Sequence, residues 1–280
     1  MAKIVVLGKT GMLGCSVYEF LKKNNCDVLG TTRAELDAQN CTVEDIEKVI
    51  TDCKYIINCI GIIKPYIHDN DSYEVSRAME VNGLFPHKLL KAAKKNNSRI
   101  IQIATDCVYD GVSGYYDENC KHNATDVYGK SKSLGEVFDD NFMNLRCSII
   151  GREKKSYLSL LEWFLNQPKN AEINGYNNHL WNGITTEVFA QICYGIIKNE
   201  FWFSGVQHII PRNVMTKYQM LECFKEVFKR EDIVIDCINA EYAVNRVLST
   251  NNQSRNKFIW ELAGYNTIPA IENMIKAMTK

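Results

Sequence analysis

Lys3-Ile4-Val5-Val6-Leu7-Gly8-Lys9-Thr10-Gly11-Met12-Leu13-Gly14 is the most informative stretch of the chain. The apolar, mostly β-branched run Ile4–Leu7, closed by Gly8, reads as a buried strand. Cys15–Lys23 follows with Val17, Phe20 and Leu21 at helical spacing, and Asp27-Val28-Leu29-Gly30 reads as a second strand. Strand, glycine turn, helix and strand in ~30 residues make a βαβ unit. Its glycines permit a tight turn, a close backbone approach to a pyrophosphate and close helix–strand packing. The helix N-terminus adds free N–H groups and a positive dipole end for that phosphate. A glycine run between strand and helix is the context that makes it a dinucleotide site. Gly8, Lys9, Thr10, Gly11, Met12, Leu13 and Gly14 are therefore expected to line one.

The end of the second strand indicates which dinucleotide. An NAD site places Asp or Glu there to bond the ribose 2′-OH. Here Gly30-Thr31-Thr32-Arg33 carries no acid until Glu35. Arg33 suits a 2′-phosphate, with Lys9 to assist, so NADP (as NADPH) is the expected cofactor.

The alternation continues downstream. Val43–Ile50 reads as a short helix and Lys54–Gly61 as a buried strand ending in a small residue. Ser72–Lys95 reads as one long helix with Ala78, Val81, Leu84, Leu89, Leu90 and Ala93 on its apolar face. Arg99–Ile103 and Met143–Arg146 read as further strands, with a helix from about Asp126 between them. This order specifies an α/β fold, a Rossmann-type doubly wound parallel sheet. The rhythm changes after Gly151. Leu158–Leu165 is amphipathic, Asn174–Asn178 is polar and turn-like, Glu187–Lys198 is helical and Val206–Ile210 is one more strand. From Lys217 onward helices and short loops are expected. The expected division is a cofactor-binding domain of residues 1–150 plus about 180–212, and a smaller, mostly helical C-terminal substrate-binding domain of 151–179 and 213–280.

Lys+Arg 33 against Asp+Glu 33 gives no formal net charge, which removes the electrostatic footprint of a nucleic-acid binder. The 11 cysteines are odd in number and lack Cys-x-x-Cys spacing. They read as reduced thiols of a cytoplasmic protein. The five histidines show no ligand spacing, so no metal is expected. The chain opens directly into a strand, without a signal-peptide pattern, and no apolar run reaches the ~18 residues of a membrane span.

Thr125-Asp126-Val127-Tyr128-Gly129-Lys130-Ser131-Lys132 carries the chemistry. Tyr128 and Lys132 are i and i+4 on one helix face. A nearby ammonium favours the phenolate, so Lys132 is expected to lower the Tyr128 pKa. Thr105, at the end of the strand Arg99–Ile103, would help hold a substrate oxygen. Two other Tyr-x-x-x-Lys pairs, Tyr18/Lys22 and Tyr194/Lys198, have the same spacing. The upstream βαβ unit and strand select Tyr128.

Together these residues resemble the extended short-chain dehydrogenase/reductase superfamily, and within it the dTDP-4-dehydrorhamnose reductase family. The matching points are Gly8-x-x-Gly11-x-x-Gly14, Asn58-Cys59-Ile60-Gly61, Val81-Asn82, Tyr128-Gly129-Lys130-Ser131-Lys132 and Leu145-Arg146. Ala104-Thr105-Asp106-Cys107-Val108-Tyr109-Asp110-Gly111 resembles that family's Ser-Thr-Asp-Tyr-Val-Phe-Asp-Gly stretch. The likeness is specific over roughly residues 3–151 and looser through Trp181–Thr186 and Lys217-Tyr218.

The resemblance implies Thr105, Tyr128 and Lys132 as the catalytic trio. It implies Asn58, Cys59, Ile60, Gly61, Asn82, Tyr128 and Lys132 around the cofactor, and Asp37 near the adenine amino group. Thr105, Asp106, Cys107, Trp181, Asn182 and Arg246 are the expected substrate contacts, with Arg246 on the diphosphate. The implied activity is NADPH-dependent reduction of a 4-keto-6-deoxy sugar linked to UDP or dTDP, of rhamnose type, with an N-acetylated sugar such as UDP-N-acetyl-L-rhamnosamine among the candidates. The family often forms homodimers, and no exposed apolar stripe legible here fixes an interface. The family commonly has a Trp after its Leu-Arg-x-Ser stretch, whereas Leu145-Arg146-Cys147-Ser148 runs on into Ile149-Ile150. Two alternatives follow from the same resemblance. A nucleotide-sugar dehydratase carries Thr-Asp-Glu where this chain has Thr105-Asp106-Cys107, which argues against dehydration and less strongly against epimerisation. A non-catalytic subunit like the regulatory subunit of methionine adenosyltransferase would keep the cofactor fold.

Overall fold

The computed structural model describes residues 3–153 and 157–279. In chain order its first half is β1 (Ile4–Leu7), α1 (Met12–Lys23), β2 (Val28–Gly30), α2 (Val43–Ile50), β3 (Tyr55–Asn58), α3 (Ser72–Ala78), α4 (Phe85–Lys95), β4 (Arg99–Ala104), α5 (Val127–Leu134) and β5 (Phe142–Arg146). The second half is β6 (Ile149–Ile150), α6 (Leu160–Leu165), β7 (Glu172–Tyr176), β8 (His179–Trp181), β9 (Ile184–Thr185), α7 (Thr186–Lys198), β10 (Gly205–His208), β11 (Met215–Thr216), α8 (Lys217–Val227), β12 (Val234–Ile238), β13 (Val244–Asn245), α9 (Gln253–Leu262) and α10 (Ile271–Ala277).

Six strands form one parallel sheet in the order β10-β5-β4-β3-β1-β2. Its strands are apolar on both faces, as a sheet covered on both sides requires. The pleat sends Val6 and Ile57 into one core with α1, α7 and the later helices, while Val5 and Ile56 enter the other with α2 and α4. The chain leaves β1 for β2 on one side and returns to β3 on the other. The carboxyl ends of β1 and β3 are therefore the switch point where ligands bind in open α/β sheets.

The expected long helix Ser72–Lys95 is interrupted. Met79–Leu84 widens into a π-helical turn between α3 and α4. Pro86 has no N–H to give the carbonyl of Asn82, which leaves the ordinary ladder open there. The C-terminal region is less helical than expected. Asn174–Tyr176, read as turn-like, lies in β7, which pairs in parallel with β12. β8 pairs with β11 and β13, so Leu180 and Trp181 lie in this second sheet and not in the main one.

A buried polar cluster gathers the loops after β4 and α5 around the ends of β5 and β10, and reaches the C-terminal region at Ser249. The Arg146 guanidinium donates from Nε to Glu136 Oε1 (2.9 Å) and from Nη2 to Glu136 Oε2, and from Nη1 to the Tyr109 hydroxyl (2.6 Å). It also meets Nε2 of His208 (2.6 Å) and of His122 (2.7 Å). With Nε2 accepting, His208 donates from Nδ1 to the Ser249 carbonyl at 2.7 Å. Burial, reinforced by Arg146, lowers its pKa to about 4. No disulfide joins the cysteines of the described residues. Among the described residues no helix is long and apolar enough to cross a membrane.

Candidate functional site

The glycine turn is built for close backbone contact. Gly8 has φ +81°, and a Cβ on Gly14 would stand 2.1 Å from the Gly8 carbonyl oxygen. Gly11 caps α1 with no side-chain hydrogen bond, leaving the first-turn N–H groups directed at the turn. Thr31, at the end of β2, holds the turn from below: its carbonyl accepts from Lys9 N (2.9 Å) and its Oγ1 from Gly8 N (3.3 Å). Lys9 sends its Nζ to the Gly30 carbonyl at 2.8 Å.

Beside this turn lies a cavity of about 200 Å³ lined by Gly8, Thr10, Gly11, Arg33, Asp37, Cys59, Ile60 and Gly61. Arg33 is largely exposed and 3.4 Å from Asp37. Arg77 of α3 lines the same cavity and was missed in the sequence, where a lone Arg in a polar helix gives no signal. Asn58 and Asn82 lie beneath this wall as struts. Asn58 accepts from Ile60 N (3.1 Å) and donates to Gln102 (2.7 Å). Asn82 accepts from Ile62 N (2.8 Å) and donates to the Ile62 carbonyl (3.0 Å) and to Ser131 Oγ of α5 (3.2 Å).

A second cavity of about 350 Å³ continues from the first and is lined by Met12, Leu13, Cys59, Thr105, Asp106, Cys107, Tyr128, Lys132, Trp181 and Lys217. Asp126 caps α5, accepting from Gly129 N at 2.7 Å, and so fixes the turn that carries Tyr128. Thr105 Oγ1 accepts from Cys107 N and donates to Asp106 Oδ1, each at 3.2 Å. The other two Tyr-x-x-x-Lys pairs differ in kind. Lys22 and Lys198 lie over their own tyrosine rings, 5.8 and 5.4 Å from the centroids, on α1 and α7.

The electrostatics differ from expectation. Burial pushes the Tyr128 phenol well above its ordinary pKa; Cys107, Asp106 and Asp126 add to the rise, and the Thr105 hydroxyl opposes it. Lys132 does not offset this. Its Nζ donates to the Ile103 carbonyl at 3.0 Å, and its own burial lowers its pKa to about 8. Desolvation outweighs the expected charge effect, so Tyr128 is a firmly protonated donor. Burial also pushes the Cys107 thiol up to about 12 and raises Asp106, against the pull of Arg246 and Lys217.

Three expected substrate contacts are placed differently from one another. Trp181 lines the cavity, its Nε1 donating to Ser148 Oγ at 2.8 Å. Asn182 is buried away from the cavity and pairs both ways with the backbone of Leu248, at 2.8 and 2.9 Å. Arg246 stands outside the lining and donates to the carbonyls of Tyr109 (2.9 Å) and Asp110 (3.3 Å). Ile149 and Ile150 line the cavity where the family commonly has its Trp.

Comparison with known proteins gives the family and the fold. The model of the RmlD substrate binding domain matches residues 2–255. A dTDP-4-dehydrorhamnose reductase of Aggregatibacter actinomycetemcomitans is 31% identical over 233 residues, covering 78% of this chain and 76% of that protein. The methionine adenosyltransferase 2 subunit beta of Xenopus tropicalis is 26% identical over 243 residues, covering 81% of this chain and 72% of that protein. A dTDP-4-dehydrorhamnose reductase from Bacillus anthracis, solved in complex with NADP, superposes with a TM-score of 0.79 at 16% identity, covering 99% of this chain and 98% of that one.

Proposed function

The chain belongs to the RmlD substrate binding domain family and is similar to a dTDP-4-dehydrorhamnose reductase over 78% of its length, and from that premise we propose that it is an NADPH-dependent reductase of a nucleotide-linked 4-keto-6-deoxy sugar. The observation that carries this reading is the meeting of Thr105 and a protonated Tyr128 with Met12 and Leu13 of the glycine turn in one cavity. The glycine cradle and the uncapped start of α1 fit a pyrophosphate, and Arg33 with Arg77 fits a 2′-phosphate. Asp37, on the same cavity, suits the adenine amino group.

NADPH, when bound, supplies the hydride. Tyr128 gives its proton to the carbonyl oxygen as the carbon takes the hydride, so the ketone becomes an alcohol and the phenol a phenolate. Thr105 donates to the developing alkoxide, where one preorganised donor is worth ~3 kcal/mol. The phenolate is then reprotonated from solvent, and the Lys132 ammonium, on the same cavity, suits the nicotinamide ribose. Trp181 and the aliphatic wall of Ile149 and Ile150 exclude water from the sugar. Cofactor-binding work falls to 1–150 with about 180–212, less Leu180 and Trp181 of the second sheet, and sugar binding to 151–179 and 213–280 with Trp181, with the reduced thiols suited to the cytoplasm. The sugar is of rhamnose type on UDP or dTDP, and an N-acetylated sugar such as UDP-N-acetyl-L-rhamnosamine falls within this class.

Cys107 speaks against dehydration. A thiol pushed up to about 12 cannot serve as the base at neutral pH. The relationship to the methionine adenosyltransferase subunit favours a second reading, a non-catalytic cofactor-binding subunit. NADPH oxidation with UDP- and dTDP-linked 4-keto-6-deoxy sugars separates the two. Turnover is expected, and Tyr128→Phe should lower kcat at least ~100-fold, the lower range for general acid catalysis, while Tyr18→Phe and Tyr194→Phe stay near normal. No turnover with any such sugar, alongside normal NADPH binding, would favour the non-catalytic subunit.

A further inference from the structure

Lys217 opens α8 and brings its ammonium into the cavity that holds Tyr128. It lies 5.8 Å from the centroid of the Trp181 ring, and among the described residues it makes neither a hydrogen bond nor an ion pair. Burial lowers its pKa, with the Asp106 carboxylate opposing that effect and Arg246 adding to it. A buried ammonium that no carboxylate meets in an ion pair is costly, and Asp106 offsets only part of that cost, so an anionic ligand is favoured there. The rest of the lining is mixed: Ile103, Ile149, Ile150 and Leu160 are aliphatic, Trp181 has already given its N–H to Ser148, and Asp106 and Glu153 bring carboxylates that, among the described residues, form no ion pair with Lys217. Arg246, the cation singled out in the sequence, has committed Nε and one Nη2 proton to backbone carbonyls and lies outside the lining.

We propose that Lys217 is the residue that binds the diphosphate of the nucleotide sugar, with the Trp181 face beside it. This rests on the nucleotide-sugar reading above, and it names which side chain meets the charge of that substrate. The overall charge of the chain is zero, so a diphosphate must be met by placed cations and not by a general field. Lys217 is the cation that faces the sugar cavity away from the cofactor turn, and Arg246 braces the neighbouring 109–111 backbone.

The test measures binding without turnover. Enzyme saturated with NADP is titrated calorimetrically with UDP, dTDP, uridine and thymidine, as wild type, Lys217→Met and Lys217→Arg. Lys217→Met should weaken the preferred nucleoside diphosphate ~10- to 150-fold, as for loss of a charged hydrogen bond. The matching nucleoside and NADP itself should bind as before, which also shows that the variant is folded. Lys217→Arg should recover most of the loss. Wild-type binding of the diphosphate should take up protons on the alkaline side, as the depressed ammonium is recharged, and Lys217→Met should lose that uptake. Equal diphosphate affinity in wild type and Lys217→Met would overturn the role of Lys217 and leave the reductase reading standing. Failure of the wild type to bind either diphosphate would overturn the nucleotide-sugar reading and the role of Lys217 with it.

Discussion

Lys132 shows how far a single side chain can depart from what its spacing suggests. Its ammonium is buried against the Ile103 carbonyl and titrates at about 8 instead of the ordinary 10.5. Between those two values the unfolded chain binds more protons than the folded one, so this group makes stability rise with pH across that window. Below about pH 8 the folded protein carries the full cost of the charge, on the order of 3 kcal/mol. Lys132→Met should therefore raise the Tm of the cofactor-free protein at pH 7, with the gain shrinking from pH 8 toward 10. A gain that does not change with pH would mean that packing, and not charge, sets it. Tyr128 itself was legible from its position after a βαβ unit and a strand. The direction of its pKa shift was not, because i,i+4 spacing reports proximity and says nothing of burial. Arg77 and Lys217 were silent for a related reason: an isolated cation has no local pattern, and only the tertiary fold turns it into a cavity.

The glycine turn is the element whose reading transferred most directly into structure, because its constraint is local backbone geometry. Its glycines have separable duties, and substitutions can tell them apart. A Cβ on Gly14 meets the Gly8 carbonyl at 2.1 Å, whereas one on Gly11 meets it at an ordinary 3.5 Å. Gly14→Ala should cost ~1–3 kcal/mol of stability, the range for overpacking, measured by urea unfolding. Gly11→Ala should leave the unfolding midpoint nearly unchanged and weaken NADPH binding instead, because the added methyl group would narrow the cavity proposed for the cofactor. The same midpoint for both variants would contradict this division. The helix Ser72–Lys95 was less legible. Its apolar face is continuous through Met79–Leu84, and the pattern hides the π-helical turn that seats Asn82 between Ile62 and Ser131. β7 was hidden by its composition: Glu172-Ile173-Asn174-Gly175-Tyr176 has a polar face and a glycine, and its partner β12 is mostly exposed.

For the whole molecule, the parallel sheet and its two cores follow from alternating apolar runs, and these were legible almost throughout the first 150 residues. The union of the two regions was not. It runs through the buried Arg146, whose partners Tyr109, His122, Glu136 and His208 come from four separated segments, and on from His208 to the Ser249 carbonyl. No periodicity links such positions; each reads alone as an ordinary polar residue. The two small sheets of the second half are equally non-local, since β7 takes β12 in one and β8 takes β13 in the other as parallel partners about 60 residues later. That pairing has a consequence for the chain as it is made. At ~5–20 residues per second, β7 and β8 leave the ribosome ~3–12 s before their partners exist, with unpaired edges meanwhile. Synonymous slow codons placed between residues 182 and 234 should lengthen that interval and lower the soluble yield, whereas the same codons placed after residue 250 should not. Equal yields would mean that the nascent segment is sheltered by the N-terminal sheet as it emerges.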